Sequence, residues 1–173
     1  MSKKTTSSRE TRTWLGNAFS RSKKEDKLLN ILDKDSRKGR NSFNNDDLRK
    51  IVTENRNLVK KKYKFQCYDK KIHPIVMAYF LGASEDVCRI MYKTYPEVKK
   101  SCPLAALILR ATLEEFKSTV VENPNDIELT FCGLNFLHIA STFYADDEVI
   151  EFLSKEIHPK FFKKLDSTGC TPI

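Results

Sequence analysis

The feature that most constrains the fold of this chain is a pair of marker series that share a common period over residues 74–172. The first series consists of Pro74, Pro103, Phe136 and Pro172, with spacings of 29, 33 and 36 residues. The second series falls between these positions and consists of Pro96, Pro124 and Pro159. Proline is tolerated in the first turn of a helix, but it cannot continue one. The two series therefore predict an all-α fold of stacked helix pairs, that is, a helix-pair solenoid.

The hydrophobic pattern between the markers predicts two helices in each repeat. The first helix of a repeat is nearly all apolar, as at 103–109, and is expected to be buried on most sides. The second helix alternates apolar and charged residues at helical spacing, as at 148–157, and is expected to bury one face. The predicted helices cover 73–81 and 85–95, then 103–110 and 113–122, then 135–143 and 148–157.

Two short strings connect these repeats to a known family. Residues 133–140 read GLNFLHIA and residues 165–173 read LDSTGCTPI. They match the ankyrin repeat, in which a turn glycine precedes Thr-Pro and then Leu-His-x-Ala. Region 65–173 thus resembles about three ankyrin-type repeats and the start of a fourth. The resemblance implies left-handed turn glycines at Gly133 and Gly169, a His138 that hydrogen-bonds backbone between adjacent repeats, and a Pro172 that begins the next helix.

The first two repeats depart from the ankyrin pattern at their turns. Lys71 and Lys100 stand where the turn glycine belongs, so irregular connecting turns are expected there. A helical solenoid of the tetratricopeptide or armadillo type also provides paired helices. That second interpretation stays open, although it does not explain the two strings.

Charge and composition predict three parts along the chain. These are a basic, mostly disordered and flexible segment at 1–44, a capping helix at 45–64, and the repeat region at 65–173. Residues 1–72 hold 21 Lys and Arg against 9 Asp and Glu, whereas residues 73–173 hold 10 against 14. Low apolar content predicts disorder at 1–26 and a linker at 36–44. Acidic residues followed by apolar residues at helical spacing predict a helix that shields the end of the stack.

The resemblance implies a non-catalytic scaffold that holds a protein partner of unspecified identity. The predicted contacts lie at loop tips: Tyr68, Asp69, Lys70, Lys71, Lys99, Lys100, Ser101, Glu128, Leu129, Thr130 and Phe131. Thr171-Pro172-Ile173 begins a helix that does not follow, so the outer face of the third repeat is expected to be uncovered. Exposure of Phe136, Leu137 and Phe143 on that face is expected to favour self-association.

The alternative function is binding of nucleic acid or another anionic surface through residues 1–64. In the cluster 60–65, lysines surround Tyr63 and Phe65, which suits base stacking beside phosphate contacts. The competing and favoured interpretation is that both aromatics pack under the first repeat. Basic residues at 23–24 and 37–40 are compatible with nuclear import. The Ser, Thr and Arg bias around Trp14 and Phe19 resembles an organelle presequence, so import into an organelle stays an alternative.

The sequence predicts no catalytic, cofactor-binding or metal-binding residues. His138 lies on an apolar helix with no base or nucleophile visible beside it, and nothing resembles a nucleotide or metal motif. The five cysteines form no Cys-x-x-Cys pair, which predicts reduced thiols and an intracellular protein, cytoplasmic or nuclear. No apolar run approaches the roughly 20 residues that a transmembrane helix needs.

Overall fold

A computed structural model describes residues 23, 25, 27–33, 44–143, 146–166 and 168–172 of this chain. The described residues are mostly helical, and one short antiparallel hairpin accompanies the helices, which confirms the all-α class. Most of the predicted flexible segment at 1–44 lies outside the described residues, together with the suggested import signal at 37–40 and the presequence-like stretch around Trp14 and Phe19.

The elements follow the chain in the order in which we number them. The helices are α1 at 27–32, α2 Asn45–Glu54, α3 Arg56–Val59, α4 Pro74–Phe80, α5 Glu85–Thr94, α6 Pro103–Ile108, α7 Leu113–Glu122, α8 Phe136–Thr142 and α9 Asp147–Glu156. Short 3₁₀ helices lie at Pro96–Lys100, Pro124–Glu128 and Pro159–Phe161. Strands β1 Tyr63–Lys64 and β2 Lys71–Ile72 pair antiparallel, with Tyr63 opposite Ile72 and Lys64 opposite Lys71.

The helices are arranged as consecutive pairs. Helix α4 contacts α5, α6 contacts α7, and α8 contacts α9. The first members of the pairs also lie side by side, because α6 contacts both α4 and α8. All six residues of α6 are buried, as expected for an apolar helix that has neighbours on both sides. Helix α2 packs against α5, the second helix of the first pair.

Local sequence explains where these helices begin. Pro74 and Pro103 occupy the first turns of α4 and α6, where the missing N–H of proline is not needed. Helix α7 begins with a capping box, in which the Thr112 hydroxyl accepts from the Glu115 N–H and the Glu115 carboxylate accepts from the Thr112 N–H. Phe136, the counterpart of the proline in the third pair, follows Asn135, whose side chain caps α8.

The segment 45–64 differs from the single capping helix that the sequence predicts. Helix α2 ends at Glu54, and the Asn55 side chain donates a hydrogen bond to the Ile51 carbonyl, which ends the regular turn. The second short helix ends at Val59 and the chain then enters β1. Tyr63 and Phe65 are buried while Lys64 between them is exposed, which is the period-two pattern of a strand.

Candidate functional site

The three predicted loop tips meet on one side of the molecule. Tyr68 forms an antiparallel bridge with Phe131, which joins the first tip to the third. Lys62 Nζ lies 3.4 Å from the Ser101 carbonyl oxygen, which brings the second tip against the hairpin. We call the surface formed by residues 62–71, 96–101 and 124–134 the loop face.

Two of the predicted contact residues are buried within the loop face. Tyr68 is 2% exposed and Phe131 is 0% exposed, and their ring centroids lie 5.5 Å apart in a T-shaped arrangement. Phe131 also packs edge-on against Phe80 of α4, at 4.7 Å between centroids. The prediction that Tyr68 and Phe131 contact a partner is therefore corrected, since aromatic pairing across the chain places both side chains in the core.

The other predicted contact residues retain surface. Asp69, Lys70, Lys71, Lys100 and Glu128 are exposed, and Lys99, Ser101, Leu129 and Thr130 are partly buried. Lys70 forms an ion pair with Asp126, whose side chain is 3% exposed. A buried carboxylate needs such a partner, so Lys70 has a structural role in holding the 3₁₀ helix Pro124–Glu128 against the first tip.

His138 and Pro172, which belong to the two ankyrin-like strings, connect the third helix pair to the chain that follows it. His138 Nε2 lies 3.1 Å from the carbonyl oxygen of Cys170, 32 residues further along. Its Nδ1 lies 3.4 Å from the Asn135 N–H and accepts from it, which assigns the ring proton to Nε2. Pro172 is buried, and its carbonyl oxygen accepts from the Ser141 hydroxyl at 2.8 Å. These bonds engage both ring nitrogens of His138.

Gly133 and Gly169 both have φ of +82°, which is the left-handed conformation that the resemblance implies. A Cβ built at Gly133 would meet nothing within 4 Å, so the cost of a substitution there comes from the backbone alone. We predict that Gly133→Ala lowers the free energy of unfolding by about 1–2 kcal/mol. Gly133→Asn is expected to cost less, because asparagine tolerates this conformation. Urea unfolding of the two variants checks this, and equal costs would contradict it.

The exposed apolar face expected on the third repeat is absent among the described residues. Phe136 and Leu137 are 0% exposed and Phe143 is 8% exposed. Helix α8 contacts both α6 and α9, and the Phe143 ring packs against Phe80 at 5.9 Å between centroids, which explains their burial. The backbone of Phe161, Cys170 and Pro172 is also hydrogen-bonded to side chains at α8. The expectation of self-association through these three side chains is corrected accordingly.

An open cleft lies between α4, α5 and the end of α6, and we call it the α4–α5 cleft. Its volume is about 270 Å³. The lining consists of Ile75, Tyr79, Cys88, Tyr92 and Leu109, with Glu85, Arg89 and Lys99 among them. Tyr92 is a large apolar side chain with 37% exposure. Lys99 belongs to the second loop tip, and its Nζ lies 5.7 Å from the Tyr92 ring centroid. The cleft therefore combines apolar walls with two cations and one carboxylate.

The lysine and aromatic cluster at 60–65 does not offer its aromatics to bases. Tyr63 and Phe65 are 7% and 1% exposed, and burial together with the Glu25 carboxylate raises the pKa of Tyr63 to about 12. Lys60, Lys61 and Lys62 are exposed. This placement agrees with the favoured interpretation, in which both aromatics pack under the first pair. Only the charges of the exposed lysines are then accessible for binding an anion.

His73 is the buried ionisable group that precedes α4. Its ring centroid lies 4.9 Å from that of Tyr95, and the side chain is 3% exposed. Burial lowers the pKa of His73, and the Lys62 ammonium lowers it further. The carbonyls of Val59 and Lys61 oppose this shift, although neither makes a well-formed hydrogen bond to the ring. The surroundings of His73 at the edge of the hairpin therefore favour its neutral form.

The lowered pKa of His73 predicts that stability falls in mildly acidic solution. The unfolded chain takes up a proton at His73 as the pH falls through about 6.5, whereas the folded chain takes it up only at lower pH. Stability that is present above pH 7 is therefore lost as the pH falls below about 6.5 toward the lower pKa of the folded state. His73→Phe should flatten this part of the profile of melting temperature against pH, whereas the exposed His158→Phe should not. Parallel profiles for the parent chain and His73→Phe would contradict the assignment.

No group of three or more His, Cys, Asp or Glu side chains within the described residues could hold a metal ion. None of the helices that the structure describes is long and apolar enough to span a membrane. Comparison with protein-family models, curated proteins and solved structures found no match to this chain.

Proposed function

We propose that this chain is a divergent ankyrin-type stack of helix pairs whose function is non-catalytic binding of a protein partner. The paired helices and the row formed by α4, α6 and α8 support this proposal. Further support comes from Gly133 and Gly169, which have the left-handed backbone expected at ankyrin turns. The bond from His138 to the Cys170 carbonyl is the kind of link between adjacent repeats that the ankyrin resemblance implies. Stacks of this kind present an extended surface for recognition.

The observation that carries the binding proposal is the α4–α5 cleft. Its walls come from helices whose other faces are buried, so the surface is presented to a partner without reorganisation. Concave, mostly apolar sites with a few polar groups are the usual form of a binding pocket. The described residues thus contain an open site that the packing of the stack leaves unfilled.

The chemistry of the cleft indicates the kind of segment it would accept. Tyr79 and Tyr92 in the lining of the cleft suit an apolar side chain of the partner. Arg89 and Lys99 at the same site favour an acidic residue next to that apolar side chain, although Glu85 lies 3.7 Å from Arg89 and neutralises part of its charge. We therefore propose a protein partner that contributes an apolar and acidic peptide segment.

The test uses two matched substitutions in the full chain. Tyr92→Lys places a charge in the cleft, and Val121→Lys replaces another exposed apolar residue, which is 80% exposed and lies on α7 outside the cleft. Partners are captured from native lysate, with and without nuclease treatment, and identified by mass spectrometry. We expect the parent chain and Val121→Lys to recover the same proteins, and Tyr92→Lys to recover them about tenfold less.

Circular dichroism and melting curves establish that both variants fold like the parent chain. Equal recovery by all three proteins contradicts the proposed site. Recovery that disappears with nuclease treatment, or falls steeply as salt is raised, assigns binding to the basic residues 1–64 instead.

A further inference from the structure

Two cysteines that lie far apart in sequence face each other on the loop face. Cys67 Sγ and Cys132 Sγ are 2.6 Å apart, although the residues are separated by 65 positions. The backbone joins them as well, because the Cys132 N–H donates to the Cys67 carbonyl at 2.9 Å. They directly adjoin Tyr68 and Phe131, the two residues that form the antiparallel bridge.

The bridge places the two cysteines in register. In an antiparallel pair, the residue before Tyr68 lies opposite the residue after Phe131, and these two residues are Cys67 and Cys132. The Cα atoms of directly opposed residues lie about 4.5–5.5 Å apart. A disulfide requires a Cα separation of about 4.4–6.8 Å, which residues opposed in this way can meet, and the Cys67 and Cys132 sulfurs already lie 2.6 Å apart.

From this geometry we propose that Cys67 and Cys132 form a peroxide-sensitive dithiol that closes to an intramolecular disulfide. The Cys67 thiolate attacks one oxygen of hydrogen peroxide, the O–O bond breaks, and the released hydroxide takes up a proton to become water. The Cys132 sulfur then attacks the sulfur of the Cys67 sulfenic acid and displaces its hydroxyl, which leaves as water with the Cys132 proton. The two thiols are oxidised by two electrons, and the peroxide is reduced to two molecules of water.

The surroundings distinguish this pair from other cysteines of the chain. The hydrogen bond from the Cys132 thiol lowers the pKa of Cys67, although burial and the Asp33 carboxylate act in the opposite direction. Burial raises the pKa of Cys88 to about 11 and also raises the pKa of Cys102. Both Cys67 and Cys132 are partly exposed, so a small oxidant can reach them.

Closure of this disulfide would tie the hairpin before the first helix pair to the turn before the third. A bond across so long a loop restricts the unfolded chain strongly. We therefore expect the oxidised chain to melt about 5 °C or more above the reduced chain. This inference does not depend on the proposed binding function, because it concerns the loop face and not the α4–α5 cleft.

The test treats the reduced full chain with a small excess of hydrogen peroxide and then blocks the remaining thiols with N-ethylmaleimide. We expect a monomer that has lost the mass of two hydrogen atoms and carries two fewer blocked thiols, with one peptide cross-link between Cys67 and Cys132. Dithiothreitol should reverse both the cross-link and the rise in melting temperature. Cys67→Ser and Cys132→Ser should abolish both effects, whereas Cys170→Ser should leave them unchanged.

Two results would overturn the proposal. One is a cross-link map of the unsubstituted chain in which other cysteine pairs or intermolecular bonds through the exposed Cys170 dominate. The other is oxidation of Cys67 that proceeds to sulfinic acid without a cross-link. Both results are measured on the unsubstituted chain, so they remain decisive even if a serine variant fails to fold.

Discussion

Replacement of Phe131 with alanine is expected to lower the free energy of unfolding by about 3–5 kcal/mol, the range for a large buried aromatic. Phe131 is 0% exposed and packs edge-on against both Tyr68 and Phe80. The substitution therefore leaves a cavity where the hairpin meets α4, and the loop tips lose the side chain that joins them. Urea unfolding followed by circular dichroism measures the effect.

The matched control is Glu128→Ala, which changes an exposed residue in the same predicted loop tip. We expect it to alter the free energy of unfolding by less than about 0.5 kcal/mol. Comparable values for the two variants would mean that Phe131 lies at the surface, as the sequence alone predicts, and not in the core.

Replacement of Asn135 with alanine is expected to lower the free energy of unfolding by about 3 kcal/mol, because it combines loss of a helix cap with loss of a buried hydrogen bond. Asn135 is 0% exposed, its Oδ1 accepts from the His138 N–H at 3.0 Å, and its Nδ2 donates to the Phe161 carbonyl at 2.8 Å. The variant leaves that carbonyl with only the longer bond from the Lys164 N–H, at 3.4 Å. Thermal melting should show a decrease of about 6–12 °C.

The control for Asn135 is another asparagine at a helix start. Asn44 caps α2 by accepting from the Asp46 N–H at 2.9 Å, and it is exposed. Asn44→Ala removes the cap alone and should cost about 1 kcal/mol. If Asn135→Ala costs no more than Asn44→Ala, the link from α8 to the following segment contributes nothing to stability.

The helix pairs are the part of the fold that sequence reasoning recovers best. The predicted helix at 113–122 coincides with α7, and the one at 103–110 extends two residues beyond α6. Helix boundaries of this kind depend on prolines, capping residues and apolar periodicity, all of which act within a few residues of each other. Local patterns therefore suffice to place them.

The hairpin and the burial of aromatic residues in the loop tips could be recognised only from the structure. No local sequence pattern indicates that Tyr63 pairs with Ile72 or that Tyr68 pairs with Phe131. The same holds for Cys67 and Cys132, whose proximity follows from that bridge. The available signal was the presence of two aromatics in otherwise polar tips, since such side chains seldom remain fully exposed.

The α4–α5 cleft was also missed, although it includes Lys99 from a predicted loop tip. A cleft depends on how α5 and the end of α6 are spaced, and hydrophobic periodicity does not encode that distance. The signal that could have indicated it is Tyr92, an aromatic residue on the polar side of an amphipathic helix. Exposed aromatics of this kind are enriched at binding surfaces.

The most direct test of the central claim is hydrogen–deuterium exchange of the full chain, free and in complex with the partner that it captures. We expect slower exchange in α5 and in the 3₁₀ helix Pro96–Lys100 when the partner is bound, and unchanged exchange in residues 45–62. Protection confined to residues 1–64, with α5 unchanged, would contradict the account and assign binding to the basic segment.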